Sequence, residues 1–404
     1  MRVHFINRFY WPDEQATAQL LTDLAEGLAA RGHTVSVVAS APPRRGALLR
    51  DRNGVRLRYV RATRRASRGI AGRVVDFLTF YAGALWTLLR ATRGGDVVVA
   101  LTDPPLVGVI ASWIAGLRGA RLVHWVQDIY PEIAVALTGQ RWLQLTRPMR
   151  DAAWRQAEAC VVLGPAMARV VTNRGTSRSK VRIVPNWAPA RVEPASGAEV
   201  EAMRHEWGLE GKFVIAYSGN LGRVHDLAPI LHIAAALQAE GDEGVCFVFI
   251  GNGAQRAELE AETRRLALSN VHFHPAQPRV RLGAVLAIAD VHLVTLKPGC
   301  EDYVFPSKTY GAAQAGRPVI FVGPPDSDPA QTIVGHGFGF AFSRERIADA
   351  AAALRNLHRN PALRATLSEN AVRFALHDAA TAVAAWDALL TGRSGELAES
   401  ADTK

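Results

Sequence analysis

Short apolar runs, nearly unbroken by polar residues, recur along the first half of the chain with helical patterns between them. Val3–Ile6 is followed by a polar loop and then by Ala16–Arg31, where apolar residues return at roughly every third or fourth position, the spacing of one helix face. Gly32-His33 ends that pattern, and Thr34–Ala39 (TVSVVA) resumes the extended one. Val97–Leu101, Leu122–Val126, Cys160–Leu163 and Val181–Val184 continue the series. Strands that are apolar on both faces must be covered on both, so the pattern predicts a parallel sheet flanked by helices.

The rhythm restarts at Phe213–Tyr217 and runs through Val245–Ile250, Val271–Phe273, Val291–Leu296 and Pro318–Val322, with residues 346–391 helical. Between the two series, Pro185–Lys212 is rich in Pro, Ala and Glu and lacks strand character, so it marks a join. The expected fold class is α/β, with two doubly wound, Rossmann-like domains at residues 1–190 and 191–375 and a flexible polar tail at 393–404. Ligands of such sheets bind at the carboxyl ends of the strands. Function is therefore expected in the loops after the strands, facing a cleft between the two sheets.

At 404 residues and 49% hydrophobic, the chain can bury two cores. Cys160, Cys246 and Cys300 are too few and too scattered for a disulfide framework, which points to a reducing compartment. The opening MRVHFINRFYW turns polar at once, so no secretory signal is expected, and no uninterrupted apolar stretch reads as a transmembrane helix.

Charge is unevenly divided. Residues 1–190 carry 27 Lys and Arg against 12 Asp and Glu, whereas residues 191–404 carry 20 against 25. An Arg-dominated half suits nucleic acid, an anionic lipid surface or a phosphorylated substrate. Within it, basic residues at 56, 58, 61, 64, 65, 68 and 73 lead into Val74–Leu89 (VVDFLTFYAGALWTLL), closed by Arg90 and Arg93. That segment fits insertion into one leaflet beside anionic headgroups, and it equally fits a helix buried against a sheet.

Three loops of the second half could hold an anion. In Ser218-Gly-Asn-Leu-Gly-Arg-Val-His225, Gly219 and Asn220 let the backbone approach a ligand, and Arg223 can fork onto a diphosphate oxygen. Gly251-Asn252-Gly253 repeats the arrangement after the next strand, although a tight turn uses the same residues. In EDYVFPSKTYG, Pro306 suits a helix start and Ser307 an N-cap, leaving the amides of Ser307, Lys308 and Thr309 free. Lys308 adds a cation where the helix dipole already favours an anion. Glu301, Asp302 and Tyr303, a few residues earlier, are placed nearer a sugar and its hydroxyls.

In the first half, VQDIYPE sets Gln127, Asp128 and Glu132 at a strand's end as candidate catalytic groups, with Asp128 able to act as general base or to orient a hydroxyl. Capping of the next helix would explain Asp128 as well. After the first strand, Tyr10, Trp11 and Pro12 form an aromatic lip with Asp13, an expected acceptor-binding group; Asp13 or Glu14 could also cap the following helix. The loop lacks the glycines of a nicotinamide fingerprint. The chain has neither a zinc-spaced His/Cys cluster nor a Gly-x-x-x-x-Gly-Lys-Ser/Thr loop.

Together these residues resemble the GT-B glycosyltransferases, and among them the bacterial family 4 enzymes of the fucosamine-transferase and colanic-acid type. The resemblance covers about residues 1–390. It is carried by LAARGHTVSVV (28–38), VQDIYPE (126–132), AEACVVLGPAMARVV (157–171), VPNWAP (184–189), YSGNLGR (217–223), FIGNGAQRAEL (249–259), and ADVHLVTLKPG with VFPSKTYGAAQAGRPV. It implies that the second domain binds a nucleotide-sugar, with UDP as the nucleotide, and that a last helix at 376–392 crosses back to the first, acceptor-binding domain. It also implies retention of anomeric configuration, no bound metal or other cofactor, and a diphosphate stabilised by Arg223, Lys308 and helix-start amides. The basic first half and the Val74–Leu89 segment add the expectation of a polyprenyl-diphosphate-linked sugar or oligosaccharide as acceptor, met at the inner leaflet of the cytoplasmic membrane by a cytoplasmic, peripherally bound enzyme. Nucleic acid is not an expected partner.

The chain also departs from the family. Many members carry paired glutamates where this one has Tyr303 and Gly311, Arg and Lys where it has Asn220 and His225, and a His near the position of Gln127. Two other readings stay open on the residues alone. A nucleotide-sugar 2-epimerase of the same fold would need paired acid and base groups and no membrane-facing helix. A non-catalytic basic module for membrane or nucleic acid would explain the cationic half but not three anion-ready loops in the acidic one.

Overall fold

The computed structural model describes residues 1–13, 15–42, 49–63, 69–188, 195–376 and 378–393. Glu14, basic positions 64, 65 and 68, part of the Pro185–Lys212 join and the tail from 394 lie outside them. The chain divides into two compact units, residues 1–186 with 379–404, and residues 187–378.

The first unit runs β1 (Arg2–Ile6), α1 (Ala16–Ala30), β2 (Thr34–Ser40), β3 (Asp51–Arg52), β4 (Val55–Val60), α2 (Gly69–Ala91), β5 (Val97–Ala100) and α3 (Val107–Arg118). It continues with β6 (Arg121–Trp125), α4 (Glu132–Thr138), α5 (Arg147–Gln156), β7 (Ala159–Val162), α6 (Pro165–Asn173) and β8 (Val181–Ile183). The strand order is β3-β4-β2-β1-β5-β6-β7-β8. Every pairing is parallel except β3 with β4. β5 and β7 are buried end to end, as their unbroken apolar runs require, and β1 is buried from Val3 onward.

Two features of this unit differ from the sequence reading. Residues 55–60 (VRLRYV) form a strand where the sequence shows only a basic stretch: Val55, Leu57 and Val60 are buried while Arg56 points outward. A strand apolar on one face alone escapes a search for continuous runs. The helix around Val74–Leu89 is also longer, spanning Gly69–Ala91, and comes so close to β4 that a Cβ on Gly83 would lie 2.2 Å from Val60.

The second unit runs α7 (Gly197–Glu206), β9 (Phe213–Ser218), α8 (Ala228–Ala239), β10 (Val245–Ile250), α9 (Arg256–Arg265), β11 (Val271–His274), α10 (Leu282–Ala287) and β12 (Val291–Thr295). Then follow α11 (Lys308–Gln314), β13 (Val319–Val322), α12 (Asp328–Gly335), β14 (Gly339–Phe342), α13 (Ile347–Arg359) and α14 (Pro361–Phe374). Its strands are ordered β11-β10-β9-β12-β13-β14. One core layer joins Ile215, Phe247 and Leu293 to α8 and α13, and another joins Val214, Val248 and Ile288 on the opposite face. The short β14 (GFAF) was not apparent from the sequence.

The last helix, α15 (Ala379–Thr391), belongs to the first unit. Trp386 packs 5.1 Å from Trp125, a contact worth about 1 kcal/mol beyond the area it buries. Asp387 accepts from His33 at 2.7 Å, and Arg121 donates to the Leu390 carbonyl at 2.9 Å.

Candidate active site

In the second unit the loops after β9, β10 and β12 meet at the carboxyl end of the sheet. Gly219 turns with φ +130° and Gly251 with φ +142°, a region that favours glycine. A Cβ on Gly251 would sit 2.1 Å from the Gly219 carbonyl oxygen, and one on Gly253 would sit 2.5 Å from Leu221. The Gly219 amide donates to Ile250 at 2.8 Å, and the Leu221 amide to the Asn252 carbonyl at 2.9 Å. Gly251 and Gly253 therefore let the two loops touch each other, which gives both glycines a packing role besides the expected one of cradling a ligand. Gly219 does face a functional group, since a Cβ there would lie 2.9 Å from Lys308 Cε. Asn220, Arg223 and Asn252 are exposed around it.

Lys308 reaches inward from the start of α11. Its Nζ lies 2.8 Å from His225 Nε2, and His225 Nδ1 lies 2.8 Å from the Thr295 carbonyl oxygen. A carbonyl only accepts, so Nδ1 carries the imidazole proton and Nε2 is left to accept from the lysine. Burial, with the neighbouring lysine, pushes His225 down to about 3, which keeps the ring neutral. Burial also pushes the Lys308 ammonium down to about 7. Its Nζ stands 4.9 Å from the centre of the Tyr217 ring, and among the described residues no carboxylate forms a salt bridge with it. An amine so placed is held by a neutral acceptor and a ring face, and is available to an incoming anion.

The rest of the opening stretch behaves differently from its sequence reading. Ser307 already has helical angles (φ −62°, ψ −17°) and makes no capping bond, because an N-cap needs extended geometry to reach back to the following amides. The Thr309 amide is not free either: it donates to the Pro306 carbonyl at 3.3 Å. Glu301 accepts from the Gly299 amide at 2.5 Å, which ties one of its oxygens to its own turn. Asp302 and Tyr303 are partly buried beside it.

In the first unit the loops after β1, β5 and β6 are laced together. The Arg8 amide donates to the Asp103 carbonyl at 2.7 Å, and the Asp128 amide donates to Thr102 Oγ1 at 3.2 Å. Burial pushes Asp128 up to about 7, and the charge of Asp103 adds to the rise. Asp103 is itself pushed up to about 6 by burial, opposed by Arg8, whose Nε lies 3.3 Å away. A cavity of about 30 Å³, room for about one water molecule, borders Asp128, Thr102 and Tyr130. Two carboxyls with raised pKa values at adjacent strand ends are suited to hydrogen-bonding a substrate hydroxyl. The sequence reading missed Asp103 although the same signal was present: a polar residue just after the apolar run of β5.

Of the other candidates in this unit, Gln127, Glu132 and Tyr10 are engaged within the fold. Gln127 is buried in a reciprocal amide pair with Asn186, each donating to the other at 2.9 Å. Glu132 is buried in an ion-pair cluster, 2.6 Å from Arg150 and 3.0 Å from Arg147, so its charge is fully engaged. Tyr10 is a core residue, 1% exposed, and cannot present its hydroxyl to an acceptor. Trp11 lies under Arg52, with the guanidinium 4.2 Å from the ring centre, while Arg52 binds Glu26 at 2.7 Å. The Asp13 amide closes a turn onto the Tyr10 carbonyl, and Gln15 rather than Asp13 occupies the N-cap position of α1. Among the described residues no three His, Cys, Asp or Glu side chains gather as metal ligands.

Residues 16–187 match the family described as "Glycosyl transferase 4-like domain", and residues 199–374 match "Glycosyl transferases group 1". The chain is similar to WcaI of Escherichia coli, named as a colanic acid biosynthesis glycosyl transferase, at 27% identity over 77% of this chain and 81% of that one. It is similar to a GDP-mannose-dependent alpha-mannosyltransferase of Mycobacterium tuberculosis, at 26% identity over 91% of this chain and 92% of that one. Among solved structures, HepE of Anabaena in complex with UDP and glucose superposes with a TM-score of 0.74, at 17% identity, over 97% of this chain and all of that one.

Proposed function

The chain belongs to the family 4 glycosyltransferases of GT-B fold, and from that premise we propose a specific reaction. The enzyme moves a sugar from a UDP-sugar to a hydroxyl of a polyprenyl-diphosphate-linked sugar or oligosaccharide, with retention of configuration, at the cytoplasmic face of the inner membrane. Polysaccharide assembly as the setting is supported by the likeness to WcaI. UDP is supported by the fold shared with HepE, whose crystals hold UDP and glucose, while the GDP-mannose-dependent relative makes GDP the competing donor.

The observation that carries the reading is Lys308 on His225, 2.8 Å apart. As the bond between the sugar's anomeric carbon and the diphosphate breaks, negative charge grows on the departing oxygen. Lys308 and the exposed Arg223 meet that charge, and a preorganised cation in a buried site costs no rearrangement at that moment. The acceptor hydroxyl bonds to the anomeric carbon on the face the diphosphate leaves, and its proton passes to the departing phosphate oxygen. In the first unit, Asp128 accepts a hydrogen bond from another hydroxyl of the acceptor sugar and so helps hold it. In this reading Lys308 and Arg223 supply the positive charge, and no bound metal is needed.

Calorimetric titration with UDP, GDP and their sugars tests the donor assignment. Binding of UDP compounds with at least about tenfold preference, lost in Lys308→Ala, is the expected result. Absence of binding by any of them would overturn it.

A further inference from the structure

The steps from β4 to β5, β5 to β6 and β6 to β7 all move in one direction across the first unit's sheet. Right-handed connections therefore place α2, α3 and α5 in one layer on one face. α2 is locked into that layer, with Phe80, Ala84 and Leu88 fully buried. Tyr81 donates to the Pro105 carbonyl before α3, and Arg118 at the end of α3 donates to the Leu89 carbonyl. Those two bonds set α2 and α3 side by side in the same direction. By length and composition α2 could cross a bilayer, but leaving the sheet would open the core. It has only its outer face to offer.

On a water-facing helix that face should be polar. Here Leu78 and Trp86 are each 59% exposed, and on α3 Trp113 and Leu117 are 64% and 73% exposed. Ahead of and within α5, Trp142, Leu145 and Met149 form a third exposed stripe at helical spacing. Charge in these segments is one-sided. Apart from Arg147, which pairs with Glu132, residues 69–93, 107–118 and 138–149 contain Arg73, Arg90, Arg93, Arg118 and Arg141 against a single acid, Asp76. Asp76 is buried and accepts a hydrogen bond from Thr63 at 2.7 Å. Arg90 lies 3.9 Å over the Trp86 ring. Scattered exposed apolar residues are ordinary, but several tryptophans in one layer rimmed by arginines match the boundary zone of an anionic bilayer.

We propose that this helical layer is a monotopic docking surface for anionic lipid, formed jointly by α2, α3 and the 141–149 segment. The apolar helix read from the sequence is only one of its three parts. The purpose assigned to it, bringing the enzyme to a lipid-linked acceptor, rests on the proposed function; the surface itself does not.

The test is flotation of the full chain with vesicles of phosphatidylcholine, with and without phosphatidylglycerol. Binding is expected only when phosphatidylglycerol is present, to fall with salt, and to drop about tenfold in a Trp86→Ala/Trp113→Ala/Trp142→Ala variant. Arg90→Gln/Arg93→Gln/Arg141→Gln should lose the phosphatidylglycerol preference. Both variants should keep the wild-type rate of transfer to a water-soluble acceptor analogue. Equal flotation of wild type and tryptophan variant would overturn the proposal. So would sedimentation showing that wild type dimerises without lipid and that the same substitutions dissociate it. Vesicle binding by a wild type that transfers no sugar would support the surface and overturn the enzymatic reading alone.

Discussion

Lys308 Nζ lies 2.8 Å from His225 Nε2, at the position where the resembled family's first-loop lysine would have stood. The loop after β9 here supplies a neutral acceptor, and the cation comes from the start of α11. Lys308→Met should lower kcat by about 10²-fold or more, the range seen when one preorganised group facing developing charge is removed. Placing the charge on the loop after β9 instead, in Lys308→Met/His225→Lys, should recover part of that loss. Steady-state kinetics of the two variants checks this; no recovery would mean that position 225 cannot serve the diphosphate.

Donor binding should take up a proton. Burial pushes free Lys308 down to about 7, and a bound diphosphate favours the ammonium. At a pH above 7, calorimetry in buffers of differing ionisation enthalpy should show uptake approaching one proton, absent in Lys308→Met. The same shift bears on stability. The folded lysine is neutral above about 7, whereas the unfolded one stays charged to its ordinary value near 10.5. The unfolded chain then binds more protons, so this group's contribution to stability rises with pH across that window. Lys308→Met should flatten that slope in denaturant titrations.

The acidic limb of the rate profile should belong to Asp128. Its carboxyl, pushed up to about 7 by burial and by Asp103, becomes a charged acceptor only as pH rises through that value. Asp103→Asn removes the neighbouring charge and should move the limb of kcat/KM to lower pH, by roughly one unit or less. Asp128→Asn should abolish the limb and most of the rate. A limb unmoved by Asp103→Asn would assign it to another group.

Glu132 should matter for folding and not for turnover. Glu132→Ala leaves Arg150 and Arg147 without their buried partner and should cost about 3–5 kcal/mol of stability in urea unfolding. The variant that folds should transfer sugar at a kcat near that of wild type. A kcat lowered a hundredfold in well-folded protein would restore Glu132 to the catalytic set.

Both sheets were legible in the sequence because central parallel strands are apolar on both faces, as in VVVA of β5 and VCFVFI of β10. β4 was not, since its alternation of valine and arginine reads as charge before it reads as strand. At the site, Lys308 was legible as a cation beside a helix start, but its partner was not. Nothing in the local sequence says that His225, 83 positions away, will supply the acceptor. Gln127 and Glu132 stand in the same short motif as Asp128, and sequence cannot separate them. Only the tertiary partners do so: Asn186 across the amide pair for one, Arg150 for the other. The proposed lipid-docking layer was legible only in α2, which is contiguous in sequence; α3 and α5 join it through the order of the strands.

The central claim, that Lys308 serves sugar transfer from a nucleotide donor, is tested most directly by one measurement. Labelled UDP-sugars are offered with a polyprenyl-diphosphate-linked acceptor, and label entering the lipid fraction is followed for wild type and Lys308→Ala. Transfer by wild type, with the α-anomeric product from an α-linked donor and about 10²-fold less from Lys308→Ala, is the expected result. Equal transfer by the two, or an inverted product, would contradict the account.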